Sequence, residues 1–336
     1  MSSEILKEFL HDCHVTLEKQ IRGKTSIYVN GDGWTLAMRR SQRRMDTIVL
    51  PEKVKTEFLN DIEEYLDPDA RAWYADRDLP YRRGYLLHGK PGTGKSSLSF
   101  AAAGKFNLDI YVLNLAKVND ASLQKLLGKL PTRCIVLLED IDAIDTAKNR
   151  VGNAASQNEE PTGNSVTLSG LLNALDGVAS EEGRVLIMTT NHVDRVDNAL
   201  IRPGRVDKMV EFGLANRDIL HGLFRFIFMP LKPEAPKIKA ASTSHNTDAI
   251  EELAAIFAGR VPEMRFSPAE VLSFLIEHKK SPREAVEKVK SWVNCGGEGS
   301  VPLRSQKPAM CGVGDSEMQF KEINLDDLVH WESFTP

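Results

Sequence analysis

The chain predicts an α/β protein: a mostly parallel sheet covered by helices, followed by a small helical unit. Three observations predict it. Apolar strands alternate with helical segments between residues 84 and 213. One of those strands runs directly into a glycine-rich turn and a helix start. After residue 214 the strands stop and only helical periodicity continues.

Taken in order, residues 1–45 read as a separate piece. A helix candidate at 3–20 leads to "TSIYV", "NGDG" and "WTLAM", two strands around a turn. Pro51 then opens "PEKVKTEFLNDIEEYL", where Val54, Phe58, Ile62 and Leu66 recur every four residues, the spacing of an amphipathic helix. The strands that follow are expected at 84–88, 109–114, 134–138, 185–190 and 208–212, with helices at about 95–105, 121–129 and 166–175. This alternation argues for a parallel sheet with helices on its faces. Residues 147–165 are polar and rich in Gly and Asn, a surface loop inside the domain. Four helices are expected next, at 217–228, 247–258, 268–279 and 282–293, forming a helical domain. Residues 296–336, rich in Gly, Ser and Pro, predict a weakly ordered tail.

Composition narrows the function classes. The 336 residues carry 43 basic and 47 acidic side chains, a net charge of -4. With no basic excess to neutralise phosphates, the chain does not read as a nucleic-acid binder, and "RRSQRR" at 39–44 reads as a solvated loop. Cys13, Cys134, Cys295 and Cys311 have neither zinc-site nor disulfide-framework spacing, which suits a reducing compartment. Cys134 opens an apolar strand and is expected as a small core residue. No apolar run approaches the length of a membrane span, and with Glu4, Glu8 and Asp12 the start is not a convincing transit peptide.

The clearest chemistry is in "GYLLHGKPGTGKSS". Gly89, Gly94, Lys95 and Ser96 fit G-x-x-x-x-G-K-[ST] between a strand and a helix. Glycines let the backbone turn so that its N–H groups face phosphate oxygens, and the helix start adds partial positive charge. The candidate phosphate-binding residues are Gly89, Pro91, Gly92, Thr93 and Gly94 of the turn, with Lys95, Ser96 and Ser97 of the helix start. Lys95 has the reach for the β- and γ-phosphates, and the Ser96 hydroxyl for Mg²⁺.

"CIVLLEDIDAI" sends five apolar residues into two carboxylates, Glu139 and Asp140. Neighbouring strand residues point to opposite sides, so one acid can hold the metal while the other activates the attacking water. Asp142 either faces the Glu139 side, if the strand continues, or caps the next helix. Asn191 ends the strand "VLIMTTN"; beside the cradle it could bond the attacking water or the γ-phosphate, although such an Asn is also an ordinary turn residue. Arg202 and Arg205 flank a Pro-Gly turn. They are either solvated or contact a neighbouring subunit's nucleotide, a contribution worth about 10³ or more in rate.

"GKPGTGKSS", "LLEDIDAI", "LLNALDG", "TTN" and "DNALIRPGRVD" stand in the order and spacing of AAA ATPases, which the chain resembles. More narrowly, 45–97 and the Glu-Asp order of "LLEDIDA" are similar to the mitochondrial inner-membrane AAA chaperones of the Bcs type (cytochrome bc synthesis), over about residues 15–293. The resemblance implies a P-loop AAA core with a five-stranded parallel sheet over 46–213, and a helical lid over 214–295. Residues 1–45 would be the end of a family-specific N-terminal domain. It implies an ATP- and Mg²⁺-dependent ring homo-oligomer that helps insert the folded Rieske iron–sulfur protein into the respiratory cytochrome bc complex. Ser96 and Glu139 then fall on the metal side, Asp140 at the catalytic acid, Asn191 at the sensor, and Arg202 and Arg205 at the arginine fingers. Residues 266–271, "FSPAEV", fall at the lid's second sensor, and Asp46–Ile48 where the family holds adenine.

Two departures accompany the resemblance. "LAKVNDAS" lacks the aromatic residue and Gly with which peptide-threading AAA machines grip an extended chain, which suits folded cargo. The family's membrane helix and most of its N-terminal domain precede the part matched here, so membrane attachment would come only from a segment outside this chain. A soluble AAA remodeller and a nucleotide-binding scaffold without turnover compete with this reading. The intact cradle, acids, Asn and arginines weigh against the scaffold.

Overall fold

The computed structural model describes residues 23–144, 166–176, 182–229 and 244–296. The helix expected at 3–20, the loop at 147–165, residues 297–336 of the tail, Cys13 and Cys311 lie outside the described residues.

Seven strands form one sheet: β1 (Lys24–Asn30), β2 (Trp34–Ser41), β3 (Arg83–Gly89), β4 (Ile110–Leu113), β5 (Ile135–Leu138), β6 (Val185–Thr190) and β7 (Lys208–Phe212), in the order β2-β1-β4-β5-β6-β3-β7. The five strands expected from the sequence are β3 to β7, and all their pairings are parallel. The sheet is larger than five strands because the β1–β2 hairpin joins its edge, where Ile27–Val29 pair in parallel with Ile110–Val112. Tyr28 stacks on Tyr111 at 4.6 Å, and the Trp34 indole donates to the Leu126 carbonyl at 2.9 Å.

Side chains alternate across the sheet as a period of two requires. Tyr85, Leu87, Ile135, Leu137 and Ile187 pack on one face against Phe58 and Ile62 of α1 (Glu52–Tyr65) and Leu98 and Ala101–Ala103 of α3 (Lys95–Lys105). Leu86, Val136, Leu138 and Met188 pack on the other against Leu123 and Leu126 of α4 (Asp120–Leu127) and Leu171 of α5 (Leu168–Asp176). Each fully buried side chain of this kind contributes about 1.5–3 kcal/mol. Cys134 sits in this second core as expected, and burial pushes its thiol up to about 12. Helix α2 (Pro68–Ala75), absent from the sequence reading, starts on an Asp67 N-cap followed by Pro68.

The expected four-helix unit follows: α6 (Arg217–Phe228), α7 (Ser244–Arg260), α8 (Pro268–Glu277) and α9 (Pro282–Asn294). Leu220, Phe224, Phe257, Phe274 and Val289 form its own core. Ser267 and Ser281 cap α8 and α9 with Pro in the first turn. Among the described residues, no helix is long and apolar enough to cross a membrane.

Candidate active site

The site forms at the carboxyl ends of the parallel strands, where open α/β sheets bind ligands. β3 ends at Gly89, and the chain then turns through Lys90–Gly94 into α3. The turn needs its glycines. Gly92 has φ +75° and Gly94, the N-cap of α3, has φ +104°, both in the left-handed region. A Cβ on Gly89 would lie 2.1 Å from the Phe212 carbonyl oxygen. Thr93 is buried and donates to the Lys90 carbonyl at 2.8 Å, bracing the loop around Pro91.

Lys95 is the first residue of α3, only 8% exposed. Its Nζ donates to the carbonyls of Gly89 (2.6 Å) and Lys90 (2.9 Å) and to Asn191 Oδ1 (2.7 Å). Burial lowers its pKa below the usual lysine value, against the raising pull of Asp140 and Asp142. Ser96, next along the helix, donates to Glu139 Oε1 at 2.7 Å. Ser97 follows, half-buried.

The two acids are separated by a different device from the one the sequence suggested. β5 ends at Leu138, so strand alternation does not extend through both. Glu139 turns to Ser96, while Asp140 adopts φ +51°, a left-handed conformation that Asp tolerates better than most residues. That step swings Asp140 toward β6, where its Oδ1 accepts from Asn191 Nδ2 at 3.1 Å. Asp142 is likewise not on a continued strand; it accepts from the Thr190 hydroxyl at 2.7 Å.

Register explains why Asn191 arrives there. His88 pairs with Thr190, so Asn191 emerges one step further on, beside Gly89. Thr189 and Thr190, both buried, were missed as contributors. The Thr189 hydroxyl accepts from the Asp140 N–H at 3.3 Å, and the Thr190 hydroxyl accepts from the His192 N–H at 3.0 Å. Two hydroxyls ending an otherwise apolar buried strand were the available signal.

The arginines are elsewhere. The Arg205 carbonyl lies so close to Gly84 that a Cβ there would come within 1.8 Å of it. Gly84 is at the amino end of β3 and Gly89 at its carboxyl end. At about 3.3 Å per residue, roughly 16 Å separates the arginine turn from the same protomer's cradle. Arg205 is bound to Asp176, with Nε–Oδ2 at 2.9 Å, and to the Ala199 carbonyl. Arg202 is exposed. Lys95, Ser96, Glu139, Asp140 and Asn191 are therefore brought together, and Arg202 and Arg205 are not.

The lid segment reaches the cradle: the Ala269 N–H donates to the Gly92 carbonyl at 3.1 Å, and Ser267 lies beside Gly92. Met45–Thr47 form a short 3-10 helix and Ile48 is buried. A cleft of about 890 Å³ lined by Asp46, Ile48, Val49, Ile219 and Gly222 opens between this segment and α6.

A parallel sheet carrying a lysine cradle, a paired-acid tip and a helical lid defines a P-loop nucleotide-binding protein, and residues 85–214 match the ATPase family associated with various cellular activities: the chain belongs to the AAA ATPases. Residues 235–291 match the ATPase lid domain of mitochondrial chaperone BCS1-like proteins, which sets it in the BCS1-type group of that family. Over 296 residues it is 36% identical to the probable mitochondrial chaperone BCS1-A of Dictyostelium discoideum, covering 86% of this chain and 65% of that one. It is 39% identical to the mitochondrial chaperone BCS1 of Bos taurus and 37% to that of Homo sapiens, in both cases covering 81% of this chain and 61% of the relative. The chain thus spans less than two thirds of these relatives' length.

Proposed function

We propose that the chain is an ATP-hydrolysing motor of a mitochondrial chaperone, working as a ring homo-oligomer. The observation that carries this reading is the connected set of groups at the strand tips: Lys95 to Asn191 to Asp140, with Ser96 to Glu139 alongside. Lys95 and the N–H groups of Gly92–Gly94 bind the phosphates, and Asn191 keeps the ammonium and Asp140 in one frame. Water attacks the γ-phosphorus and the bond to the bridging oxygen breaks. Asp140 takes the proton from that water, yielding ADP and phosphate. Ser96 and Glu139 supply the hard oxygen donors that fit Mg²⁺. Bound there, the ion neutralises phosphate charge. Arg202 and Arg205, remote from their own cradle, serve the neighbour's nucleotide.

The cellular role rests on likeness. Relatives at 36–39% identity are named mitochondrial chaperones. The Bcs-type resemblance extends this to the inner membrane, with the Rieske iron–sulfur protein as cargo. The enzymatic part is tested by comparing wild type with Asp140→Asn. The variant is expected to bind ATP with unchanged affinity and to turn over about 10²–10⁴ more slowly, the range for loss of a general base. Normal turnover by Asp140→Asn would move the base elsewhere, with Glu139 the next candidate.

A further inference from the structure

The two arginines of the turn are held in different ways. Arg202, Pro203, Gly204 and Arg205 form one tight turn: the Arg205 N–H donates to the Arg202 carbonyl at 3.1 Å, and Gly204 has φ +90°. Pro at the second position and a left-handed Gly at the third are the marks of a type II turn. Both arginines therefore stand at the ends of one rigid unit. Only Arg205 is tied down, its guanidinium spanning the Asp176 carboxylate and the Ala199 carbonyl. The Arg202 side chain is exposed, and its guanidinium has no hydrogen bond or ion pair among the described residues.

The surroundings fix the Arg205 end further. Asp176 closes α5, and the helix end is held by Arg82, whose Nη1 donates to the Leu175 carbonyl at 2.9 Å and lies 3.7 Å from Asp176. Asp207 accepts from the Gly84 N–H at 2.9 Å and from the Gly204 N–H at 3.4 Å. The turn is thus anchored to β3 and to α5. A guanidinium already engaged by a carboxylate and a carbonyl has few donors left for a phosphate, whereas a free one on a preorganised turn has all five.

We propose that the two arginines have separate jobs: Arg202 is the group that touches the neighbouring protomer's nucleotide, and Arg205, clamped by Asp176, is a positioning residue that fixes the turn presenting it. The proposal rests on the reading that hydrolysis is completed across a subunit interface. It adds Asp176 to the residues on which turnover depends, through Arg205 rather than by contact.

Lysine substitutions separate the roles. Arg202→Lys loses the planar fork and should cut kcat at least 100-fold with KM for ATP little changed. Arg205→Lys retains an ion pair with Asp176 and should lose less than fivefold. Asp176→Asn should lower kcat about tenfold at unchanged ATP affinity and oligomer size, and Asp176→Glu should recover most of that loss. The reverse pattern, with Arg205→Lys crippled and Arg202→Lys close to wild type, overturns the division, as does an Asp176→Asn that turns over normally. Mixing tests the underlying reading separately. Arg202→Ala has an intact cradle and Asp140→Asn an intact turn, so the two inactive variants combined should regain hydrolysis. Failure to regain it, in mixtures shown by native mass spectrometry to co-assemble, removes action across the interface itself.

Discussion

The two ends of strand β3 differ in how completely their charges are answered. At the carboxyl end the groups of one protomer face one another: Lys95 meets Asn191, Asn191 meets Asp140, and Ser96 meets Glu139. At the amino end, Asp61 gathers Arg83 and Lys208, and Asp176 holds Arg205, but Arg202 is left exposed. The first end is the proposed nucleotide site, assembled within one protomer. The second is a platform on which the Arg202 guanidinium has no charge partner among the described residues. Under the proposed ring assembly, a second copy would bring the two ends together.

The largest expected effect breaks the carboxyl end. Lys95→Ala removes the ammonium that would meet the phosphates, and charge-assisted hydrogen bonds contribute about 1.5–3 kcal/mol each. Affinity for ATP should fall roughly 10²–10³-fold, measured with a fluorescent analogue. Folding stability should change little, because burial already disfavours the Lys95 charge more than Asp140 and Asp142 favour it. A large drop in the unfolding midpoint without loss of nucleotide would make Lys95 a structural residue and undo the contrast between the two ends.

Asp61→Asn tests the amino end. Asp61 accepts from Arg83 Nε at 2.9 Å, from the Tyr85 hydroxyl at 2.5 Å and from Lys208 at 2.8 Å, with its side chain 9% exposed. Burial alone would raise its pKa, but the bonds from Arg83, Lys208 and Tyr85 outweigh it and hold the carboxyl below its usual value. A depressed carboxyl stabilises the fold above its unfolded value of about 3.9. That contribution fades as pH falls through the lower folded value. Breaking a buried charge cluster costs roughly 3–5 kcal/mol, and the partial exposure of Lys208 puts this one at about 3. In urea titrations the gap between wild type and Asp61→Asn should be widest near pH 7 and close toward pH 3. A gap that persists in acid would mean packing, not charge, holds this end.

How far each end can be read from the sequence follows from how local its determinants are. The cradle is written in eight consecutive residues, each glycine answering a backbone requirement of the same turn, so it is legible without neighbours. The helices of the lid are legible too, since Ser267-Pro268 and Ser281-Pro282 mark their starts before any packing is known. The left-handed step at Asp140 is not, because it depends on Thr189 and Asn191 some fifty residues away. Nor is the clamp on Arg205, whose partner Asp176 looks in sequence like an unremarked helix end. The hairpin was legible as a hairpin, but its attachment to β4 is a pairing between distant segments that neither strand announces.

The smallest effect concerns Asp142, the acid whose role alternation could not decide. The buried Thr190 hydroxyl donates to Asp142 at 2.7 Å and accepts from the His192 N–H at 3.0 Å. Thr190→Val keeps the shape and removes both bonds, leaving two groups unpaired at about 1–2 kcal/mol in total. Asp140 keeps its own contacts to Thr189 and Asn191 in this variant. If Asp142 only braces the loop beneath the acids, the thermal midpoint should drop by a few degrees while turnover at saturating ATP stays within about twofold. A tenfold loss of turnover in a folded Thr190→Val would instead count Asp142 among the groups that set the charge at the reacting phosphate. The carboxyl end would then hold three working acids rather than two.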